Sequence, residues 1–324
     1  MKRVVFIILI LSLSNYCFTQ SFNVRNIFNS GATVGAEHIL PALVNDTNTF
    51  QLIKYKVQFV KVLRTKEVDL EEFDMDNKKA KANQLFLTSK FSIAKPDLSS
   101  QNYFNTIYNG ELELTYITAS RKRGVWLHAA NISATESEES FKSSFTPNFR
   151  AYSVYAHVNP KNLKFIPFVG PGIALTQGRI IALPVFGFWT QLSSQLSFEI
   201  IAPVHIKLKY NLANKVEFEL ATSYNRINAV YREGSRYIGN DNTINLRQLK
   251  NHLGINTRLS EYYKVKVEMG YAFFQELNGL SNDYSQKMSP TPFFNISFNY
   301  NFKNSILYNF FNEGDKLGKK RRGF

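Results

Sequence analysis

The sequence predicts an all-β protein, an antiparallel up-and-down transmembrane β-barrel of about 12 strands, within a range of about 10–14. Three observations carry this prediction: one long stretch alternates apolar and polar side chains, the composition is aromatic, and the last strand ends on an aromatic residue. The chain has 324 residues, 15% aromatic and 44% hydrophobic, with a mean hydropathy of only -0.23. No apolar run reaches the roughly 18 residues of a spanning helix, so the membrane crossing is predicted for strands.

The stretch from Ser194 to Tyr210 shows the strongest alternation. Apolar side chains occupy every second position from Leu196 onward, and His205, Lys207 and Lys209 are among the residues between them. Successive side chains of a strand point to opposite faces, so the pattern predicts one apolar face backed by a more polar one. Taken as one strand, the stretch exceeds the roughly 9–11 residues that cross an outer membrane. This length favours a membrane barrel over a soluble sandwich or lipocalin-like barrel, which also alternates.

The last predicted strand gives independent support. Its apolar positions, which end on Phe302, alternate with small polar residues: Phe294, Ile296, Phe298, Tyr300 and Phe302 against Asn295, Ser297, Asn299 and Asn301. This resembles the C-terminal signal that the barrel-assembly machinery of the outer membrane recognises. The chain continues to Phe324, so either the signal is internal and a basic tail follows, which we prefer, or Ile306–Phe311 adds a last strand.

The remaining strands are predicted wherever alternation recurs between polar or charged stretches. Four regions follow: 1–19 as a signal peptide, 20–48 as an entry segment with at most one irregular strand, 49–304 as the barrel, and 305–324 as the tail. Short turns are expected to alternate with long polar loops, as in outer-membrane barrels. The twelve predicted strands are Ile53–Phe59, Leu85–Ala94, Glu111–Ala119, Val125–Ser133, Ala151–Val158, Phe165–Ala174, Ile180–Leu192, Ser194–Tyr210, Lys215–Tyr231, Ile244–Leu259, Tyr263–Phe274 and Phe293–Phe302.

The N-terminus has the pattern of a secretory signal. Lys2 and Arg3 precede the apolar run Val4–Leu11, and small residues allow cleavage before Gln20. Cleavage there removes Cys17, the only cysteine, so the mature chain is predicted to have no disulfide. A lipid-modified Cys17 is the alternative.

The formal net charge is +14, and five basic residues lie in the tail, at Lys316, Lys319, Lys320, Arg321 and Arg322. This balance favours anionic partners, which in a cell envelope are outer-membrane lipid and lipopolysaccharide, or a periplasmic polyanion at the tail. Nucleic acid is not expected for an exported chain without a binding motif. A solvated tail with no partner is the simpler alternative.

Charged residues on two neighbouring segments suggest a ladder inside the barrel. One register places Lys207 opposite Glu217 and His205 opposite Glu219; the next places Lys209 opposite Glu217 and Lys207 opposite Glu219. Such cross-strand pairs contribute roughly 0.2–1 kcal/mol each. We therefore expect His205, Lys207, Lys209, Glu217 and Glu219 to face the lumen.

No catalytic, cofactor or metal site is predicted. The five histidines lack the spacing of a zinc site, and His128, which has no serine two residues on, is interpreted as a packing or interface residue. Gly170-Pro171-Gly172 precedes no helix or lysine, so a bend is expected there rather than a phosphate loop. The acidic run 71–76 lacks the order of an EF-hand and is interpreted as a solvated loop.

The segment Ala182-Leu183-Pro184-Val185-Phe186-Gly187, followed by Leu196–Phe198, Ala202-Pro203 and Leu208-Lys209-Tyr210, resembles a family of uncharacterised outer-membrane β-barrel proteins common in Bacteroidota. The resemblance covers roughly Gln51–Phe302 and implies a barrel fold, but no catalytic or ligand residues. Three functions remain open: a structural or plugged barrel of the bacterial outer membrane that is not an enzyme; a narrow channel for small solutes, in which a positive lumen would favour anions; and a lipid-modifying enzyme in the barrel wall.

Overall fold

The computed structural model describes residues 29–44, 48–68, 81–99, 106–120, 124–136, 147–158, 164–176, 179–182, 184–202, 205–213, 215–230, 243–279 and 285–304. Their regular structure is entirely strand, and no helix among them is long and apolar enough to cross a membrane. The predicted signal peptide, the basic tail and the acidic run 71–76 lie outside these residues. The strands are β1 Asn29–Leu43, β2 Thr49–Val68, β3 Lys81–Leu98, β4 Ile107–Ser120, β5 Gly124–Glu136, β6 Asn148–Ala156, β7 Phe165–Gly170, β8 Gly172–Thr176, β9 Arg179–Ala182, β10 Val185–Gln191, β11 Leu196–Ala202, β12 His205–Ala213, β13 Val216–Val230, β14 Thr243–Arg258, β15 Tyr263–Gly279, β16 Ser285–Met288 and β17 Thr291–Asn304.

These segments form one closed antiparallel barrel. Three barrel strands are each interrupted and consist of two segments: β7 with β8, β9 with β10, and β16 with β17. Both β7 and β8 pair with β6, and both β16 and β17 pair with β15. On the other side of β7 and β8, β10 pairs with β7 and β9 pairs with β8. The first interruption falls at Pro171, where a bend was expected. The described wall therefore has 14 strands, and pairing of β17 with β1 closes it.

The prediction of about 12 strands was two short, and the stretch Ser194–Tyr210 accounts for one of them. It is two strands, β11 and β12, paired antiparallel with Phe198 opposite Leu208 and Ile201 opposite His205. Only two residues separate these strands. An even number of intervening residues preserves the period of two, so alternation runs through the reversal as if the strand were continuous.

The other missing strand is β1, in the segment 20–48 that was assigned outside the barrel. It pairs with β2 on one side and β17 on the other, so the barrel begins at Asn29 rather than at residue 49. Its small residues conceal the alternation. Gly31 is one of them, and a Cβ there would overlap the carbonyl oxygen of Tyr300 on β17, so close packing requires the glycine.

The barrel narrows at one end. We call the end where β1 begins and β17 ends the near end, and the opposite end the far end. At the far end Val230, the last residue of β13, pairs in parallel with Glu136, the last residue of β5. The ring from β13 through β17 and β1 to β5 thus closes on itself there, and β6–β12 lie outside it. This ring has nine strands, close to the eight-stranded barrels whose interiors are filled by side chains.

Apolar side chains fill this narrow ring. Their cluster, the far-end plug, includes the fully buried Phe50 and Leu52 of β2 and Ile39 of β1. Its members come from β1–β4 and from β13–β17, so it extends across the ring: Ile39, Ala42, Phe50, Leu52, Ala94, Ile107, Ala229, Leu246, Ala272, Leu277, Met288 and Phe293. The lumen is therefore dry and packed at the far end.

The outer surface is apolar along the middle of the strands. On β17 the predicted alternation is confirmed, because Phe298 is 52% exposed whereas Asn295 and Ser297 are buried. Aromatic rings gather at the near end, where Tyr263 lies 4.9 Å from Tyr300 between ring centroids. Trp126 and Tyr155 make a similar contact at 5.0 Å. An apolar band bordered by aromatic rings is the surface that outer-membrane barrels present to lipid.

Candidate functional site: a charge cluster in the lumen

Charged side chains of β11–β15 meet inside the barrel, on the near-end side of the far-end plug. Where these strands pass the cluster, large apolar side chains such as Ile206 and Leu220 are exposed on the outer face, and the polar residues between them point inward. We define the lumen charge cluster as the nine ionisable residues that contact one another there: Glu199, His205, Lys207, Lys209, Glu217, Glu219, His252, Lys266 and Glu268. Four carboxylates thus face three lysines and two imidazoles.

Glu219 on β13 is the centre of the cluster. Its Oε1 atom lies 3.1 Å from Nζ of Lys266, 3.3 Å from Nε2 of His252 and 3.7 Å from Nζ of Lys207. These partners come from β15, β14 and β12, so one carboxylate oxygen joins the strands on both sides of β13. The side chain is almost fully buried. A buried carboxylate is favourable only with such partners.

Four of the five residues predicted to form a ladder, Lys207, Lys209, Glu217 and Glu219, make ion pairs with one another, but in a different register. Lys209 pairs with Glu219 and Asn211 with Glu217 across β12 and β13, one step beyond the second predicted register and two beyond the first. The ion pairs run diagonally: Lys209 Nζ lies 3.1 Å from Glu217 Oε1, and Lys207 reaches Glu219. A shift between Asn211 and Ala213 moves the register.

His205 does not pair with Glu219. Its Nε2 atom lies 2.9 Å from Oε1 of Glu199 on β11, and both side chains are buried. This pairing follows from the hairpin: on one continuous strand, residues 199 and 205 would lie far apart. Glu199 is also directly opposite Lys207 across β11 and β12, so this ion pair lies beside the other members of the cluster.

Sequence reasoning missed four members of the cluster: Glu199, His252, Lys266 and Glu268. His252 Nε2 lies 3.1 Å from Oε1 of Glu268, whose other oxygen accepts a hydrogen bond from Asn295. A signal was present, since His252, Lys266 and Glu268 occupy the polar positions of alternating strands β14 and β15. However, their neighbours in space are remote in sequence.

Glu219, His252 and Glu268 could together ligate a metal ion. One ligand atom from each lies within 4.8 Å of the others. Lys266 contacts both carboxylates, so an ammonium already provides the positive charge that a metal would bring. The lysine therefore favours a structural role for Glu219, His252 and Glu268 over a metal site.

Further ion pairs lie elsewhere on the inner wall, and one of them crosses the interior. Lys250 Nζ lies 2.6 Å from Glu37 Oε1 and 5.0 Å from the ring centre of Phe293, a member of the plug. On the other wall, the buried Glu111 accepts a hydrogen bond of 2.8 Å from Lys90 and lies 3.8 Å from Arg150. These contacts continue the polar interior around the barrel.

Together these features define a class: a closed antiparallel β-barrel with an apolar exterior, a charged interior and one end packed with apolar side chains. No family model matches the chain, and no curated protein matches it. Among solved structures, the chain is similar to an outer membrane channel from Pseudomonas putida F1, with 7% identity over 85% of this chain and 98% of that one and a TM-score of 0.43. It is also similar to the translocator domain of the autotransporter NalP from Neisseria meningitidis (8% identity, 90% and 93% coverage, TM-score 0.33) and to the transport unit of the autotransporter AIDA-I from Escherichia coli (9%, 90% and 96%, 0.35).

Proposed function

We propose that this chain is an integral barrel of the bacterial outer membrane whose lumen is closed by its own side chains, with a structural role in the envelope. The apolar outer band with its aromatic border supports the membrane location. Outer-membrane barrels have short periplasmic turns and longer external loops, and the near end carries the short connections 192–195, 214–215 and 259–262, which directs the near end inward and the far-end plug towards the cell exterior.

The far-end plug carries the proposal of a closed lumen. A 14-stranded wall is wide enough to hold a water-filled passage, but here the ring narrows to nine strands and its interior is packed. An axial pore would require Phe50, Leu52 and Phe293 to leave a dry core. Because exposing one fully buried Leu or Phe side chain costs about 1.5–3 kcal/mol and several would have to move, an open state would be rare.

The lumen charge cluster supports the same function. An anion passing through the barrel would need ammonium groups that are not already paired with a carboxylate. Lys207, Lys209 and Lys266 each contact a glutamate. We interpret these pairs as internal struts that hold β11–β15 in register. The narrow anion channel, the alternative from sequence, has less support.

Single-channel recording in planar bilayers tests this function. The protein is reconstituted in vesicles, and its insertion is verified by protease protection and by faster gel migration before boiling. The vesicles are then fused to the bilayer. We expect no conductance steps. Steady ohmic steps from inserted wild-type protein would show an open pore and overturn the closed-lumen function.

A further inference from the structure

The outer wall carries a groove across β3, β4, β5, β6 and β8. It has a volume of about 530 Å³ and an almost entirely apolar lining. The small residues Ala130, Ala151 and Gly172 leave space between the larger Leu114 and Ile173. Its size and apolar character lie within the range of small-molecule sites.

One serine and one histidine face each other at this groove. His128 on β5 and Ser153 on β6 are directly paired across the two strands, and both side chains are on the outer face. The Ser153 hydroxyl oxygen lies 2.9 Å from Nδ1 of His128. Distances of about 2.6–3.2 Å are typical between an activated nucleophile and its general base. Sequence reasoning looked for a serine two residues from His128 and missed this one, because the sheet rather than the chain brings it near.

Neighbouring rings fix the orientation of the imidazole. The ring of His128 is parallel to that of Trp126, at 4° and 5.8 Å, and nearly parallel to that of Tyr116, at 20° and 6.4 Å. Ser153 is anchored too, because its backbone N–H donates to the carbonyl of Pro171 at 3.0 Å. The nucleophile and the base are thus both held in place before any substrate arrives.

The depth of the pair in the membrane indicates what it would meet. His128 and Ser153 are each two residues from a member of the near-end aromatic contact, Trp126 and Tyr155, or about 7 Å along a strand. Aromatic belts lie at the headgroup level of a bilayer. The ester groups of glycerophospholipids lie directly beneath, and the groove extends from there along the apolar wall.

We propose that Ser153 and His128 form a lipid-facing esterase site that accepts an ester-linked acyl chain of a glycerophospholipid in this groove. With the proton of His128 on Nε2, its Nδ1 accepts the Ser153 proton as Oγ bonds to the ester carbonyl carbon. The tetrahedral intermediate collapses, the ester C–O bond breaks, and the imidazolium protonates the departing lysophospholipid alkoxide. Water, deprotonated by His128, then cleaves the acyl-serine to a free fatty acid and restores the serine. This site goes beyond the closed-lumen function and does not depend on it.

Covalent labelling with a fluorophosphonate probe tests the site. Full-length mature protein in phosphatidylethanolamine–phosphatidylglycerol vesicles is exposed to the probe, the modified residue is mapped by mass spectrometry, and fatty acid release is measured in parallel. We expect labelling at Ser153 with fatty acid release, both abolished in Ser153→Ala. His128→Gln should slow labelling by roughly 100-fold or more, the contribution of a general base.

Ser89→Ala provides the matched control, because Ser89 is on β3 opposite the exposed Phe59 and lies away from His128. This variant should label and release fatty acid like the wild type. Folding of every variant is checked by migration before boiling. Folded wild-type protein that remains unlabelled, or that labels equally with Ser153→Ala, would overturn the esterase site, whatever the conductance recordings show.

Discussion

The ammonium group of Lys250 on β14 lies 2.6 Å from a carboxylate oxygen of Glu37 on β1, although β15 and β17 separate the two strands in the wall. Neighbouring strands are about 4.8 Å apart, so three strand steps span about 14 Å along the sheet. The two side chains therefore bridge a chord of the barrel. The wall must curve tightly here, which is consistent with the packed ring at the far end.

Removal of one partner of this bridge should destabilise the barrel more than removal of both. Glu37→Gln leaves the Lys250 ammonium buried against Phe293, and an uncompensated buried charge costs about 3–5 kcal/mol. The double variant Glu37→Gln, Lys250→Met should recover most of this loss. Urea midpoints in detergent, followed by the shift between folded and unfolded gel bands, measure the effect. Equal losses in the single and double variants would show that the bridge is not coupled.

The central carboxylate of the charge cluster should be the most sensitive member of the cluster. Glu219→Gln removes the shared partner of Lys207, Lys266 and His252 and should lower the free energy of unfolding by about 3–5 kcal/mol. Glu217→Gln is the matched control, since this side chain is 24% exposed, loses one ion pair, with Lys209, and keeps an amide oxygen for the hydrogen bond from Asn256, so a smaller loss is expected. The same urea titration compares them. Similar midpoints for the two variants would contradict a central role of Glu219.

Much of the barrel could be predicted from alternation alone, and the remainder could not for physical reasons. Alternation identified the outward face of β17 and the inward charges of β12 and β13. It could not detect the reversal between Ala202 and His205, because a two-residue separation preserves the period. Nor could it identify β1, where small residues such as Gly31 give little contrast between faces.

The site followed the same limits. Lys207, Lys209, Glu217 and Glu219 are on β12 and β13, which are adjacent in sequence, so their proximity could be predicted; His205 was expected in the same ladder but contacts Glu199 on β11. The partners from β14 and β15 were not found, and neither was the contact between His128 and Ser153. Alternation predicts which face of a strand a residue is on. It does not predict which residues of other strands lie beside it, because that depends on the register between the strands.

Residues of opposite parity on β13 should face different solvents. Leu220 is 52% exposed, whereas its neighbour Ala221 is buried. Each residue is replaced in turn, as Leu220→Cys and Ala221→Cys, and the cysteine is labelled with a fluorescent dye in vesicles. Bromo-lipids should quench the fluorescence of the dye at position 220 but not at position 221. Quenching of both or of neither would be incompatible with an apolar exterior in lipid.

The β11–β12 reversal makes a distance prediction that separates the hairpin from a continuous strand. Phe198 is directly opposite Leu208 in the hairpin, within the Cα distance of about 4.4–6.8 Å that a disulfide requires. In one continuous strand these residues would lie about 33 Å apart. The double variant Phe198→Cys, Leu208→Cys should therefore oxidise, lose both thiols to maleimide-polyethylene glycol tagging, and regain them after reduction. The control pairs Phe198→Cys with Phe218→Cys on β13, which is one strand farther away and beyond bridging distance, so both thiols should stay free. Two free thiols in the first variant, in folded protein, would restore the continuous strand and remove the contact between Glu199 and His205.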